Sequence, residues 1–275
     1  MSAISAKDVK KLRDVTGAGM MDCKKALIES NGDMDSAIEF LRKKGQKLSD
    51  KRADRDAKEG CVLAKVSADG SKGVVVRLSC ETDFVSKNED FVAMTDKITQ
   101  LALDTFPADT EALLDQDFGG ITLREKIIEQ VGVIGEKVEV ADYQKIEAPQ
   151  VVSYIHMGNK AGVILGLSQD GIDVSAGKDV AMQVAAMHPV AVDKDGVDSS
   201  IVEKEIEIGM DIARQEGKPE AMLEKIAMGK LNKFFKERTL LNQAFVKNNK
   251  QNITQYLDSV SSGLTVIDFK HVKLG

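Results

Sequence analysis

Apolar residues recur at helical spacing through the first 45 positions. Val9, Leu12 and Val15 share one face until "TGAG" (Thr16 to Gly19) interrupts it. Met20, Met21, Ala26, Leu27 and Ile28 form a second stretch, closed by "NGD". Asp33 is placed to cap a third helix, with Ile38 and Leu41 three apart and Gly45 just past its end. The pattern predicts a bundle of three short helices over 1–45. A core so small is usual for a binding module attached to something larger. Residues 42–60, "RKKGQKLSDKRADRDAKEG", hold 12 charged positions in 19 and show no apolar period. They predict a solvated linker over 46–60 that could be partly helical.

The period then changes to that of strands. "CVLAKVSADGSKGVVVRLSC" sets two β-rich runs around a turn and predicts a hairpin. A helix is expected from about Glu89, with Phe91, Met94, Ile98 and Leu101 on one face. Thr122 and Glu125 form a capping box at the head of "TLREKIIEQVG", and "EKVEVADYQKIE" alternates as a strand does. The order returns: "VVSYIHMGNKAGVILGLSQDG" predicts a second hairpin and "KDVAMQVAAMH" a second helix. Hairpin then helix, twice, predicts an α+β core of two related halves, 61–148 and 149–275. From Val197 the pattern is helical on both sides of "EGKPE", an antiparallel helical hairpin over about 197–235. It could lie on the core or project as an arm toward a partner. "NITQYLDSVSSGLTVIDFKHVKLG" predicts a short helix and a closing strand. That strand must return to the second sheet, which makes the helical hairpin an insertion within the second half.

Composition narrows the chemistry. A chain of 275 residues suits one large domain or two to three smaller ones. The three cysteines, Cys23, Cys61 and Cys80, form no CxxC pair and read as small buried thiols. His156, His188 and His271 lie far apart, none with a partner at ligand spacing, so no metal site is expected. No apolar run approaches the roughly 20 residues of a membrane helix. The first residues lack a signal-peptide stretch, so a cytoplasmic protein with no membrane contact is expected.

The net charge is −6, yet residues 1–58 hold 14 Lys and Arg against 10 Asp and Glu. The acidic remainder argues against nucleic acid as partner, which needs clustered cations. "TGAGM" lacks the third glycine of a dinucleotide loop and the Gly-Lys-Ser/Thr of a P-loop, and it follows a helix. No GxSxG occurs. No catalytic residue, cofactor or direct nucleotide site is therefore expected. Two other classes stay open: an α+β enzyme of unrecognised activity, and an RNA-binding module using the basic N-terminal helices.

One stretch stands out. "CETDFVSKNEDF", Cys80 to Phe91, sets Phe84 beside Asp83 in a polar run between strand and helix. The pattern alone favours a ring folded back into the core. The other reading is a docking anchor for a partner's pocket.

Two motifs carry a family resemblance. "LRDVTGAGMMDCKKAL", Leu12 to Leu27, resembles the N-terminal signature of the translation elongation factor Ts family, and "CETDFVSK", Cys80 to Lys87, is similar to its second signature. The order of modules agrees over essentially the whole chain. The resemblance implies an α+β fold with an N-terminal three-helix, UBA-like module, a two-part core with antiparallel sheets and an inserted helical hairpin of coiled-coil type. It implies a non-enzymatic guanine nucleotide exchange factor for the GTPase elongation factor Tu. It assigns Asp83 and Phe84 to that partner's magnesium and phosphate site, and Thr82 and Val85 to the contacts with the same partner. Arg13, Met20 and Met21 fall to the partner's nucleotide-binding domain, and His156 and Lys178 to another of its domains. The helical hairpin would serve self-association into a homodimer or further contacts. Three positions depart from the family pattern: Arg77, Ser79 and Asp179. Some members continue into a C-terminal helical module after the point where "KHVKLG" stands, so a smaller interface is expected here.

Overall fold

The computed structural model describes residues 4–275. The chain divides into two compact units. One holds residues up to Leu63, Val76–Gln144 and Val272–Gly275; the other holds Ala64–Val75 and Lys145–His271.

The first unit begins with helices α1 (Ala6–Thr16), α2 (Met20–Glu29) and α3 (Met34–Arg52). Ser5 and Asp8 form a capping box at the head of α1, and Asp33 caps α3 as its position predicted. Gly17 ends α1 at φ 71°, a left-handed geometry that glycine adopts without strain. The small core of the module is Leu12, Ala18, Cys23, Ala26, Leu27 and Ala37. Val15, expected on the buried face of α1, is exposed, as are Met20, Met21 and Ile28.

The third helix does not stop before Gly45. It runs through the charged segment to Arg52, and Gly45 is buried inside it. Gly45 meets helix α7 (Leu123–Ile134) at a close crossing. A Cβ on Gly45 would stand 2.9 Å from the Ile128 carbonyl, and one on Gly132 would stand 3.0 Å from the Gly45 Cα. Glycine here gives the closest approach of two backbones and does not end a helix. Most charges of the segment face water; Lys51 and Arg52 stand in the last turn where the helix dipole favours cations, and Arg52 is half-buried in an ion pair with Glu81.

Strands β1 (Glu59–Val66) and β2 (Lys72–Cys80) flank a turn in which Asp69 accepts hydrogen bonds from Ser67 and Ser71. A single helical turn, α4 (Asp83–Ser86), leads to α5 (Glu89–Thr105), then the short α6 (Thr110–Leu114), and α7. The predicted Thr122–Glu125 capping box is present. Strand β3 (Val138–Glu147) completes a sheet ordered β1-β2-β3.

In the second unit β4 (Gln150–Ile155) pairs antiparallel with β5 (Ala161–Leu167), in the register Gln150 to Leu167. Helix α8 (Val174–Met187) covers them, and its glycine, Gly177, lies close over Val152. Helices α9 (Ser199–Gln215) and α10 (Glu220–Arg238) follow. The close approach of Gly209 to Ala227 and the ion pair of Arg214 with Glu220 make them antiparallel. The main packing partner of α9 is α10, and its buried residues, Gly209 and Ala213, are few. Such a pair is an arm and not a layer over a core. A small ladder of β6 (Ala244–Phe245) and β7 (Asn248–Asn252), absent from the sequence reading, precedes α11 (Ile253–Val260). The closing strand β8 (Val266–Lys273) joins the sheet ordered β4-β5-β8, as its place in the chain required.

Candidate functional site

The "CETDF" stretch forms a short passage from β2 to α5, and carboxylates hold it. Buried Cys80 donates to the Thr82 carbonyl at 3.2 Å. Burial, helped by the negative Glu136 nearby, pushes its thiol up to about 12, so it is no nucleophile. Burial also works to raise the Glu81 carboxyl. The Lys137 amide and the Arg52 and Arg55 guanidinium groups outweigh it and hold Glu81 down to about 2. Thr82 is the residue before α4 and is extended. Its amide donates to Glu136 Oε2 at 3.0 Å and its hydroxyl to Glu136 Oε1 at 2.7 Å.

From that base α4 carries Asp83, Phe84 and Val85. Asp83 pairs with Lys87 at 2.7 Å. Val85 is half-buried, and Phe84 is 85% exposed. The burial favoured by the apolar pattern is overturned: a four-residue turn between two fixed ends has no freedom to fold its ring back. Phe84 stands at a groove of about 600 Å³ lined also by Val85, Phe91, Met94, Phe118 and Ile134. Gly17 lines the same groove, which brings the turn between α1 and α2 beside the Phe84 turn. Met20 and Met21 open α2 just after that turn, 61% and 75% exposed, and Arg13 is exposed in the last turn of α1. Two stretches some 60 residues apart in sequence thus offer water an unusual run of large apolar side chains.

His156 and Lys178 belong to the second unit. His156 is exposed at the end of β4, its Nδ1 3.2 Å from the Tyr154 hydroxyl. Lys178 is exposed on α8, at a groove of about 550 Å³ whose lining includes Asp69, Asp170 and Val174. Its neighbour Asp179 is turned inward, in an ion pair with Lys247 and accepting from the Tyr256 hydroxyl at 3.3 Å.

The sequence reading missed Glu136, which it placed as the first residue of a strand-like run; the strand begins at Val138. It also treated the histidines as isolated, whereas His188 and His271 lie with Nδ1 atoms 3.4 Å apart. No sequence signal joins residues so far apart. Among the described residues no group of three or more His, Cys, Asp or Glu could hold a metal ion, and no helix is long and apolar enough to cross a membrane.

A family model described as elongation factor TS matches residues 81–275. Curated relatives named elongation factor Ts match end to end. The protein of Cytophaga hutchinsonii is 55% identical and that of Christiangramia forsetii 53%, each with 100% of both chains covered. The protein of a Hydrogenobaculum species is 44% identical, with 99% of both chains covered.

Proposed function

The chain belongs to the elongation factor Ts family, and from that premise we propose that it is a nucleotide exchange factor for elongation factor Tu in translation elongation. It promotes GDP release by inserting Asp83 and Phe84 near the magnesium and phosphate site of that GTPase. The observation that carries this reading is the exposure of Phe84 on a turn whose two ends are held. An apolar ring kept in water gains from entering a partner's pocket, and a backbone already held on both sides of it loses little further entropy on doing so.

In this reading the 1–45 module and the 61–148 half of the core meet the nucleotide-binding domain of the partner. The contacts are Arg13, Met20 and Met21 together with Thr82, Asp83, Phe84 and Val85. The 149–275 half meets another domain through His156 and Lys178. The arm of α9 and α10 serves self-association or added contact.

The work is linkage and not covalent chemistry. If the factor weakens GDP binding, GDP weakens binding of the factor by the same ratio. The factor needs only greater affinity for the partner conformation in which the nucleotide is poorly held. A thousandfold faster release asks for about 4 kcal/mol. One or two anchor residues, each worth roughly 2–4 kcal/mol, are enough. Stopped-flow release of fluorescent GDP from elongation factor Tu, with catalytic amounts of this protein, tests the reading. Acceleration by the wild type, lost in a folded Phe84→Ala variant, is the expected result. No acceleration by the wild type would refute the exchange role.

A further inference from the structure

We propose that Glu136 is the positioning residue of the Phe84 anchor, acting through the backbone of Glu81 and Thr82; the inference rests on the exchange reading above. Phe84 cannot orient itself. Its ring makes little contact with the protein, and a helix of a single turn such as α4 has no stability of its own. Its direction is therefore set by whatever holds the residues just before it.

The structure assigns that task to Glu136. One oxygen, Oε2, accepts from the Glu81 amide at 3.1 Å and the Thr82 amide at 3.0 Å, while Oε1 accepts from the Thr82 hydroxyl at 2.7 Å. All three donors are aimed at one half-buried carboxylate. The grip is reciprocal. Glu136 holds the backbone of 81 and 82, and Glu81 accepts from the amide of Lys137, next to Glu136, at 2.6 Å. A capping box works in this way within one helical turn. Here the same exchange of side chain and backbone joins segments 55 residues apart. Glu136 also stands on firm ground. It directly follows Gly135, which ends α7 at φ 80° with its amide bonded to Val131, and only Lys137 separates it from β3. The corner between helix α7 and a sheet strand is thereby tied to the residue two positions before the ring.

The chemistry of the grip makes it testable. Glutamine can reproduce it: its carbonyl oxygen takes the two amides, and its NH2 donates to the Thr82 hydroxyl, which can accept. Alanine removes all three bonds. Phe84 must then be ordered when the partner binds, at a loss of about tenfold in exchange efficiency.

GDP release is measured for wild type, Glu136→Ala, Glu136→Gln, Phe84→Ala and the Glu136→Ala/Phe84→Ala double variant. Thermal unfolding, and hydrogen exchange of the Glu81 and Thr82 amides, are followed in parallel. The proposal expects Glu136→Ala to be about tenfold slower with those amides deprotected, the protein losing some stability and remaining folded at the assay temperature. Glu136→Gln is expected close to wild type, and Glu136→Ala to cost nothing further once Phe84 is gone. Equal rates for Glu136→Ala and wild type would overturn it, as would a full additional loss in the double variant. Should Glu136→Ala not fold, Glu136→Asp draws the carboxylate back by one methylene and loosens the same three bonds. It is expected to slow exchange severalfold in the wild-type background and not in Phe84→Ala; an equal loss in both would overturn the proposal. If the wild type itself fails to accelerate release, the exchange role falls. The amide protection then decides the positioning claim alone: its loss in Glu136→Ala upholds it, and its persistence refutes it.

Discussion

Two connections of the same kind run from a hairpin into a helix, and they treat their central apolar residue in opposite ways. Between β2 and α5, Phe84 is held out into water. Between β5 and α8, Ile172 is tucked against the core formed by both hairpin strands and α8. Each connection is tied by side chains to another part of its own unit. Glu136 and Glu81 hold the first. In the second, the Gln150 carbonyl oxygen accepts from the Ile172 amide and its NH2 donates to the Ile172 carbonyl, both at 2.8 Å. The amide of Gln150 serves a residue with a donor and an acceptor to satisfy. Glu136 serves two amides and a hydroxyl at the entry to α4, where the two amides call for an acceptor oxygen. Hydrophobicity did not choose which residue is buried. The backbone path did, and the gripping side chains chose the path.

The strongest test of this contrast exchanges the two losses. Phe84→Ala is expected to slow nucleotide exchange about 30- to 1,000-fold while leaving the unfolding midpoint in place. Ile172→Ala should do the reverse, costing roughly 1–2 kcal/mol of stability with exchange unchanged. If both variants lost stability alike, the two connections would be the same device after all.

Next in size is Glu81→Gln. Because the native carboxyl sits at about 2, below its ordinary value, its stabilisation is full above the ordinary carboxylate range and is lost as pH falls toward 2. The variant should be less stable by about 2–3 kcal/mol at pH 7, and the gap should close on acidification, as followed by denaturant titration. A gap that stays constant with pH would show that the guanidinium pairs do not stabilise the charged form.

Gln150→Leu removes the uncharged grip and leaves two backbone groups of Ile172 seeking water, at about 1–3 kcal/mol. Its effect should be the same at every pH, which sharpens the distinction from Glu81. The smallest effect is expected for Asp83→Asn. The ion pair with Lys87 is solvent-exposed, so stability should move by less than about 1 kcal/mol. Any larger change in exchange would then belong to the partner's side.

Much of the fold is legible in the chain because its causes are local. The capping box of Thr122 and Glu125 and the cap at Asp33 each lie within one turn of helix. The hairpin of β4 and β5 is announced by two strand-like runs around a short turn. The arm of α9 and α10 shows as two helical patterns broken by Gly217 and Pro219. The candidate site is legible only in part. Its motif is visible, but a phenylalanine in a polar run looks the same whether it folds in or stays out.

What the sequence determined by itself is where most of the longer helices and strands lie, which repeat of hairpin and helix the core uses, and which family signatures the chain carries. Periodicity and capping depend on neighbours a few residues apart, and these travel with the chain. The tertiary structure decided that Gly45 is a crossing point and not a helix end, that Phe84 faces water, and that Glu136 grips its base. Each of these depends on a backbone brought close from tens of residues away, and no local pattern records which distant atom will be there.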